Sequence, residues 1–288
     1  MKKISFAKMS GAGNDFILFD KRFNPSLTLN SKNIVNLCDR RNGIGADGIL
    51  VIDDIPDHDF SLEYYNSDGS TGTLCGNGSR CALRYASLSG RLKSGMASFL
   101  SNNIVYTGQI IDVDTVKFNL SAPKDIKLNF LISLNEHTVK ASFANTGSPH
   151  VVIQTEDILS SPNDPQSGFK SINDVPVISL GRAIRNLPDF APGGTNVNFI
   201  QINGSELLIR TYERGVEDET LACGTGSVAG ALIVFLNYNI KPPVSLITRS
   251  GAKLIVDFQT EDAQLKNVSL SGPAEVTFTG EFYSNLYF

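Results

Sequence analysis

The chain is poor in the residues that form disulfides and bind metals. Its 288 residues include four cysteines and three histidines, and no two cysteines form a C-x-x-C pair. A disulfide framework and a zinc site are therefore both disfavoured. We expect free thiols in a reducing compartment and no metal.

Long apolar segments and clusters of positive charge are also missing. No run approaches the eighteen or so continuous apolar residues of a membrane helix, and residues 1–8 lack the apolar stretch of a signal peptide. The net charge is −4, and Lys and Arg form no run. Neither nucleic acid nor an anionic membrane is expected as a partner. The sequence therefore predicts a cytoplasmic protein.

Short or alternating apolar runs dominate the rest of the chain and predict strands, for example at 49–52, 116–120, 151–153 and 207–212. Helical periodicity is confined to a few segments: 32–41, 80–86, 178–185 and 228–234. Residues 160–168 are typical of a surface loop. The mixture indicates an α/β (α+β) fold in which strands outnumber helices.

One short phrase occurs twice, as Cys75-Gly76-Asn77-Gly78-Ser79 and as Cys223-Gly224-Thr225-Gly226-Ser227. A helix-like segment follows each copy, so each cysteine should lie where a glycine-rich loop becomes a helix N-terminus. The free N–H groups and partial positive charge of such an end favour thiolate over thiol. The repeat favours two domains, and two thiols in equivalent settings suggest one acid and one base.

The other two cysteines have the pattern of packing residues. Cys38 follows an apolar run, and Cys81 lies inside the helix predicted after Cys75, pointing away from the loop. We expect both to be buried and without a chemical role.

Several longer phrases closely resemble the diaminopimelate epimerase family, and the resemblance runs nearly from end to end. They are Met9–Phe16, Arg41–Gly48, Asn66–Cys81, Tyr212–Gly226 and Ser271–Ala274. The resemblance implies two similar, pseudo-symmetric α/β domains, each with strands wrapped around a central helix, and an active site in the cleft between them. One domain would comprise residues 1–118 with a return segment, 271–288, and the other residues 119–270.

The resemblance also implies an activity and its participants. The expected reaction inverts one α-carbon of LL-2,6-diaminoheptanedioate to give the meso isomer, a step of lysine biosynthesis, with no cofactor and no metal. One cysteine, as thiolate, would remove the α-proton while the other, as thiol, delivers a proton to the opposite face. The partner is a small amino acid, and a homodimer is left open as the assembly.

The remaining site residues follow from the same resemblance. Backbone N–H groups would surround the α-carboxylate, where negative charge grows, at Gly76, Asn77, Gly224 and Thr225. Glu213 would hold the reacting ammonium group, and His150 and Glu213 would modulate the pKa of the two thiols. The distal centre would be held by Asn14, Asn66, Asn196 and Arg214, with Arg214 pairing with its carboxylate.

Two positions depart from the family pattern. Ser148 stands where many members have Asn, and Gly193-Gly194 stands where many have an acidic residue. Three alternative functions stay open at this stage. A proline or hydroxyproline racemase would use the same cysteine pair but has no use for Arg214. A thiol–disulfide protein would usually have its cysteines close in sequence, and a pure binding module would not need two thiols.

Overall fold

The computed structural model describes residues 3–72, 74–92, 95–134, 136–262 and 264–283. The chain divides into two compact units, residues 1–119 with 271–288 and residues 120–270. Residues 284–288, expected from the sequence as the end of the return segment, lie outside the described residues.

The first unit is built mostly of strands. Its elements are β1 (Lys3–Gly11), β2 (Asn14–Asp20), α1 (Ser31–Cys38), β3 (Gly48–Asp53), β4 (Phe60–Asn66), α2 (Gly76–Leu88), β5 (Met96–Ser101), β6 (Ile104–Ile110), β7 (Thr115–Asn119) and the returning β18 (Glu275–Tyr283).

The second unit has the same character. Its elements are β8 (Lys124–Ser133), β9 (Thr138–Asn145), β10 (Pro149–Gln154), β11 (Ile158–Leu159), α3 (Val177–Arg185), β12 (Asn196–Asn203), β13 (Glu206–Glu213), β14 (Asp218–Thr220), α4 (Gly224–Tyr238), β15 (Val244–Ile247), β16 (Lys253–Glu261) and β17 (Gln264–Pro273), the last three residues of which belong to the first unit. Short 3₁₀ turns lie at Thr155–Asp157, Pro165–Ser167, Ile172–Asp174 and Pro188–Phe190.

The two units repeat one pattern of strand pairing. In the first, β1–β2, β3–β4 and β5–β6 are antiparallel, whereas β2–β3 and β4–β5 are parallel. In the second, β9–β10, β12–β13 and β15–β16 are antiparallel, whereas β10–β12 and β13–β15 are parallel. The repeated cysteine phrase therefore belongs to a repeated topology.

One helix lies at the centre of each unit. Helix α2 packs against β1, β2, β3, β4, β6, β7 and β18, and α4 packs against β9, β10, β12, β13, β15 and β16. A helix surrounded by strands must be apolar on nearly every side. Helix α4 meets this requirement, with Val228 to Val234 all buried. Helix α2 meets it only in part, because Arg80 and Arg84 are also buried.

The helices predicted from periodicity are confirmed, and one of them is shorter than predicted. The segments 80–86, 178–185 and 228–234 fall inside α2, α3 and α4. Helix α1 ends at Cys38 instead of continuing to Arg41. There Asp39 adopts an extended conformation, and its carboxylate accepts hydrogen bonds from the N–H groups of Arg41 and Asn42 at 2.8 and 2.6 Å. Because an Asp side chain competes for nearby backbone donors, it ends the helix early.

The predicted strands are also confirmed, apart from the last residue of one of them. Strand β7 ends at Asn119, one residue before the predicted end, and 160–168 is a loop that includes the turn Pro165–Ser167. Cys38 lies in the apolar cluster with Ile34 and Leu37, and burial raises the pKa of its thiol to about 12. No helix among the described residues is long and apolar enough to cross a membrane.

Aromatic stacking fills the core of the first unit and generates a test of its stability. Phe99 is fully buried, its ring lies parallel to Phe60 with centroids 5.0 Å apart, and it also contacts Tyr106 and Phe118. We expect Phe99→Ala to lower the free energy of unfolding by about 3–5 kcal/mol, because it removes these contacts and leaves a cavity. Urea unfolding followed by circular dichroism measures the change.

The matched control is Phe23→Ala, since Phe23 is 63% exposed. It should change the free energy of unfolding by no more than about 0.5 kcal/mol. Equal losses in the two variants would contradict the assignment of Phe99 to the core.

Candidate active site

Cys75 forms the N-cap of α2, as the repeated phrase predicts. Its sulfur accepts a hydrogen bond from the N–H of Gly78 at 3.4 Å. Gly78 cannot be replaced without movement, because an added Cβ would lie 3.0 Å from Leu50 Cδ2 and 3.5 Å from Cys75 Cβ. The glycine therefore makes room for Leu50 against the first turn of the helix, and Cys75 itself is half-buried.

A chain of amides connects Cys75 to β2. Asn14 Oδ1 lies 3.8 Å from the Cys75 sulfur and accepts a hydrogen bond from Asn77 Nδ2 at 3.4 Å. Asn14 Nδ2 donates to Asp47 at 2.5 Å. This bond orients the Asn14 amide, so that its oxygen faces the thiol. The structure thus brings together Asn14, Cys75 and Asn77, three of the residues expected from the sequence.

An ion cluster fixes the base of this network. Lys8 contacts Asp15 at 2.6 Å, and Arg40 bridges Asp15 and Asp47 at 2.7 and 2.8 Å. Burial alone would raise the pKa of Asp15, but hydrogen bonds and charges from Arg40 and Lys8 lower it to about 2. The Asp15 carboxylate therefore stays ionised at neutral pH.

Asn66 lies at the end of β4 and contacts its own turn. Its Nδ2 donates to Ser70 Oγ at 2.9 Å, and its backbone N–H donates to the Ser70 carbonyl at 2.9 Å. These bonds do not join the Asn14 network, so the expected role of Asn66 stays a prediction.

Cys223 forms the N-cap of α4 in the second unit. It is buried, and its sulfur lies 3.6 Å from the hydroxyl of Thr225. An added Cβ on Gly226 would lie 2.3 Å from Asn198 Oδ1. As at Gly78, the third residue after the cysteine is a glycine because another side chain occupies the space.

His150 connects to Cys223 through Thr225. Its Nε2 lies 2.9 Å from the Thr225 hydroxyl and 2.9 Å from that of Ser148, and these two hydroxyls are 3.2 Å apart. Ser148, the first departure from the family pattern, is therefore a partner of the imidazole. The described contacts bring together Cys223, Thr225, Ser148 and His150.

Asn198 determines which tautomer His150 adopts. Its Nδ2 donates to the Val151 carbonyl at 2.9 Å and to His150 Nδ1 at 3.0 Å, while its Oδ1 accepts from the Thr211 hydroxyl at 3.0 Å. Since Nδ1 accepts, the imidazole proton lies on Nε2 and is donated to the hydroxyls. Burial and the charge of Arg214 lower the pKa of His150 to about 3. His150 is therefore neutral.

Arg214 is exposed just after β13, and Asn196 holds its backbone. Asn196 Oδ1 accepts from the Arg214 N–H at 2.9 Å, and Asn196 Nδ2 donates to the Pro149 carbonyl at 2.9 Å. Among the described residues the Arg214 guanidinium forms no ion pair. The Arg214 Nη1 lies 3.4 Å from the position that a Cβ on Gly193 would take. An acidic side chain at position 193 would therefore lie beside the guanidinium.

Glu213 ends β13 and accepts a hydrogen bond from the Thr220 hydroxyl at 2.8 Å. The loop after it is fastened by Glu217, which binds Arg185 at 2.9 Å and the Gly215 N–H at 3.0 Å. These contacts position Arg214 relative to α3.

Sequence reasoning gave no role to the supporting residues Asp47, Asn198 and Glu217. Asn198 could have been found, because residues two apart on a strand share a face and Asn196 was already singled out. His150 pairs in register with Asn196 on the neighbouring strand, which places all three together. Among the described residues, no group of three or more His, Cys, Asp or Glu side chains could hold a metal ion.

Comparison with known proteins identifies the family. The family model for diaminopimelate epimerase matches residues 6–120 and 142–277. The diaminopimelate epimerase of Aquifex aeolicus is 38% identical, over 96% of this chain and 97% of the relative. That of Chlorobaculum tepidum is 36% identical, over 94% of this chain and 98% of the relative.

Solved structures share the fold at much lower identity. A phenazine biosynthesis protein of the PhzF family from Bacillus anthracis has a TM-score of 0.71 and 13% identity, covering 98% of this chain and 100% of its own. A probable proline racemase from Agrobacterium radiobacter, with bound carbonate, has a TM-score of 0.70 and 12% identity, covering 98% and 93%. The family model and the sequence relatives, together with two cysteine-capped helices in a repeated α/β topology, show that the chain belongs to the diaminopimelate epimerase family of isomerases.

Proposed function

We propose that this chain converts LL-2,6-diaminoheptanedioate to the meso isomer, with Cys75 and Cys223 as the two proton carriers. The observation that carries the proposal is the pair of cysteine N-caps, one in each repeat, at the ends of α2 and α4. Inversion at carbon needs a base on one face and an acid on the other. The proposal assigns one cysteine to each face.

The surroundings of each sulfur suit both protonation states. The Gly78 N–H donates to Cys75 and supports its thiolate, whereas Asn14 Oδ1 is an acceptor for its thiol proton. The Thr225 hydroxyl beside Cys223 can either donate or accept. A reversible epimerase needs this property, because the cysteine that acts as base in one direction is the acid in the other.

The two helix N-termini supply electrostatic stabilisation. Their first-turn N–H groups belong to Gly76, Asn77, Gly224 and Thr225, which helix geometry leaves without an intrahelical acceptor. We assign them to the α-carboxylate, which becomes more negative as the proton leaves. The weakly acidic α-proton can then be removed without a cofactor.

The remaining residues are assigned to recognition. Glu213 binds the reacting ammonium group, and the exposed guanidinium of Arg214 binds the distal carboxylate. Asn14, Asn66 and Asn196 complete the distal site, Asn196 by holding the Arg214 backbone. His150 acts on Cys223 as a neutral donor through Thr225. Glu213 has the corresponding role of tuning a thiol.

The setting of the reaction follows from the substrate. A small, charged amino acid is met in solution, so we place the enzyme in the cytoplasm, with no part for nucleic acid or a membrane. A homodimer is the assembly that the proposal leaves open. The units 1–119 with 271–288 and 120–270 are proposed as the two epimerase domains.

Removal of either thiol tests the proposal directly. Cys75→Ala and Cys223→Ala should each reduce turnover of the LL isomer by about a hundredfold or more while the circular dichroism spectrum is retained, because each face has only one proton carrier. Cys38→Ala and Cys81→Ala, in which a buried thiol is lost, should stay active. More than a few per cent of activity in either of the first two variants would exclude the assignment.

Arg214 tests the identity of the substrate. A forked contact between guanidinium and carboxylate contributes about 1.5–3 kcal/mol, and lysine cannot reproduce the fork. Arg214→Lys should therefore lower kcat/KM for the LL isomer at least about tenfold, and kcat should fall too, since this contact positions the reacting centre.

The control is Arg249→Lys in the same unit, where the side chain is exposed and pairs with Glu219 at 3.6 Å. It should leave both constants unchanged. Unchanged kinetics in Arg214→Lys, or proline turnover by the unmodified chain at a comparable rate, would favour a proline-type racemase.

The neutral state of His150 predicts its pH dependence. Its pKa of about 3 lies below the 6.5 of an exposed imidazole. As the pH falls, His150 is therefore protonated in the unfolded chain before it is protonated in the folded chain. The stability gained by burying neutral His150 is present above pH 6.5 and is lost as the pH falls towards 3. Imidazole NMR signals, assigned by comparison with His150→Asn, should show no titration of His150 between about pH 5 and 8. A midpoint in that range would contradict the neutral donor role.

A further inference from the structure

Within the described part of the chain, Arg80 is a buried cation without an anionic side-chain partner. It lies on α2 with no exposed surface, and its guanidinium donates to the Gly76 carbonyl at 3.3 Å and to Asn77 Oδ1 at 2.8 Å. Among the described residues, its Nε has no hydrogen-bond partner and no carboxylate forms an ion pair with it. Buried charges are normally paired, because the loss of hydration is costly.

Arg80 lies on the helix that Cys75 caps and directly precedes Cys81, so these two thiols are the groups that its charge acts on. Burial lowers the pKa of Arg80 to about 10, whereas negative charge on Cys81 and Cys75 would raise it. Arg80 is therefore still protonated at neutral pH. Burial raises the pKa of Cys81 well above its ordinary value, so Cys81 stays a thiol. Cys75, which is half-buried, is left as the sulfur able to carry the negative charge.

The repeat shows that packing alone does not require a cation at this position. Five residues after Cys75 stands Arg80, and five residues after Cys223 stands Val228. Both side chains are buried on the central helix of their unit. An apolar residue fills the equivalent space in the second unit, so the charge in the first calls for an explanation beyond shape.

Charged groups on the surrounding strands do not neutralise Arg80. Lys8 of β1 and Asp15 of β2 pair with each other, and Arg40 also holds Asp15. The others on strands packed against α2 are exposed, half-exposed or bound elsewhere: Lys3, Asp20, Asp53, Glu63, Tyr64, Tyr65, Tyr106, Lys117, Glu275, Glu281 and Tyr283. In the described part of the chain, none of these side chains forms a hydrogen bond or an ion pair with the Arg80 guanidinium.

We propose that Arg80 is a positioning residue whose buried charge favours the thiolate of Cys75 and whose bond to Asn77 fixes the amides around that sulfur. The bond sets the orientation of Asn77, so that its Nδ2 faces Asn14. This inference deepens the proposed function, in which Cys75 must ionise. Its test reads the thiol itself and does not depend on turnover.

The experiment follows alkylation of Cys75 by iodoacetamide as a function of pH, with the modified residue identified by peptide mass spectrometry. The neutral reagent reacts with the thiolate, so its rate reports the ionised fraction. Arg80→Gln removes the charge but keeps an amide donor for Asn77. At pH 7 it should slow alkylation of Cys75 about tenfold, equivalent to a rise of about one pKa unit, and leave Cys223 unchanged.

Two variants separate charge from structure. Arg80→Lys keeps a cation, so it should react much more like the unmodified chain than Arg80→Gln does. Arg84→Gln removes another buried arginine of α2, one that donates to the carbonyls of Ala274 and Asp112. It should leave the Cys75 profile unchanged. An equal shift in the Gln and Lys variants of Arg80, or a shift in neither, would overturn the proposal.

Alkylation of Cys75 in the unmodified chain is a further test, and it does not depend on whether a variant folds. Cys75 should be alkylated with an apparent pKa below the roughly 8.5 of an ordinary cysteine, and a value at or above it would also overturn the proposal. Should this behaviour be found in a chain that fails to epimerise the LL isomer, the role of Arg80 stands and the proposed function fails.

Discussion

A cysteine at the N-terminal end of a buried central helix is the arrangement on which each unit depends. Helices α2 and α4 each pack against most of the strands of their unit, so their first turns are held by the surrounding sheet. At Gly78 and Gly226 a neighbouring side chain occupies the space that a Cβ would need, so glycine fits best at these two positions. The sulfur is thereby held against backbone N–H groups and small polar side chains, where a thiol can ionise.

The two repeats share this framework but surround the sulfur with different chemistry. In the first, Arg80 and the ion cluster around Asp15 put fixed charges beneath an amide network. In the second, Asn198 holds a neutral His150 against the Thr225 hydroxyl. A duplicated fold can therefore present two thiols with different electrostatic surroundings. An epimerase that acts on two mirror-related faces within one asymmetric substrate has a use for this difference.

Much of the framework could be predicted from the sequence. The repeated phrase and the short apolar runs predict two helices, the strands and the N-cap cysteines, because these depend on local patterns, whereas the central place of the helices is implied by the family resemblance. Most of the supporting residues could not be found in this way. Asp47 bonds to Asn14, which is distant in the chain, and Arg80 bonds to Asn77 about one turn earlier on its own helix, so only these contacts reveal their roles. Asn198 shares a strand face with Asn196, but His150, to which it bonds, lies on the neighbouring strand. The predicted end of α1 was wrong because the Asp39 carboxylate accepts a hydrogen bond from the backbone N–H of Arg41, and the helix ends at Cys38. The assignment of substrate groups stays a prediction for every residue of the site, including Asn14, Asn66, Asn196, Glu213 and Arg214.

The most direct test of the central claim is the origin of the hydrogen at the inverted carbon. The LL isomer is incubated with the enzyme in deuterated buffer, and the first meso product is analysed by mass spectrometry and proton NMR. With separate thiols on the two faces, the product should carry a solvent deuteron at the inverted centre, while the remaining LL isomer is still largely unlabelled at early times. Meso product that retains the original hydrogen would contradict proton transfer by two cysteines.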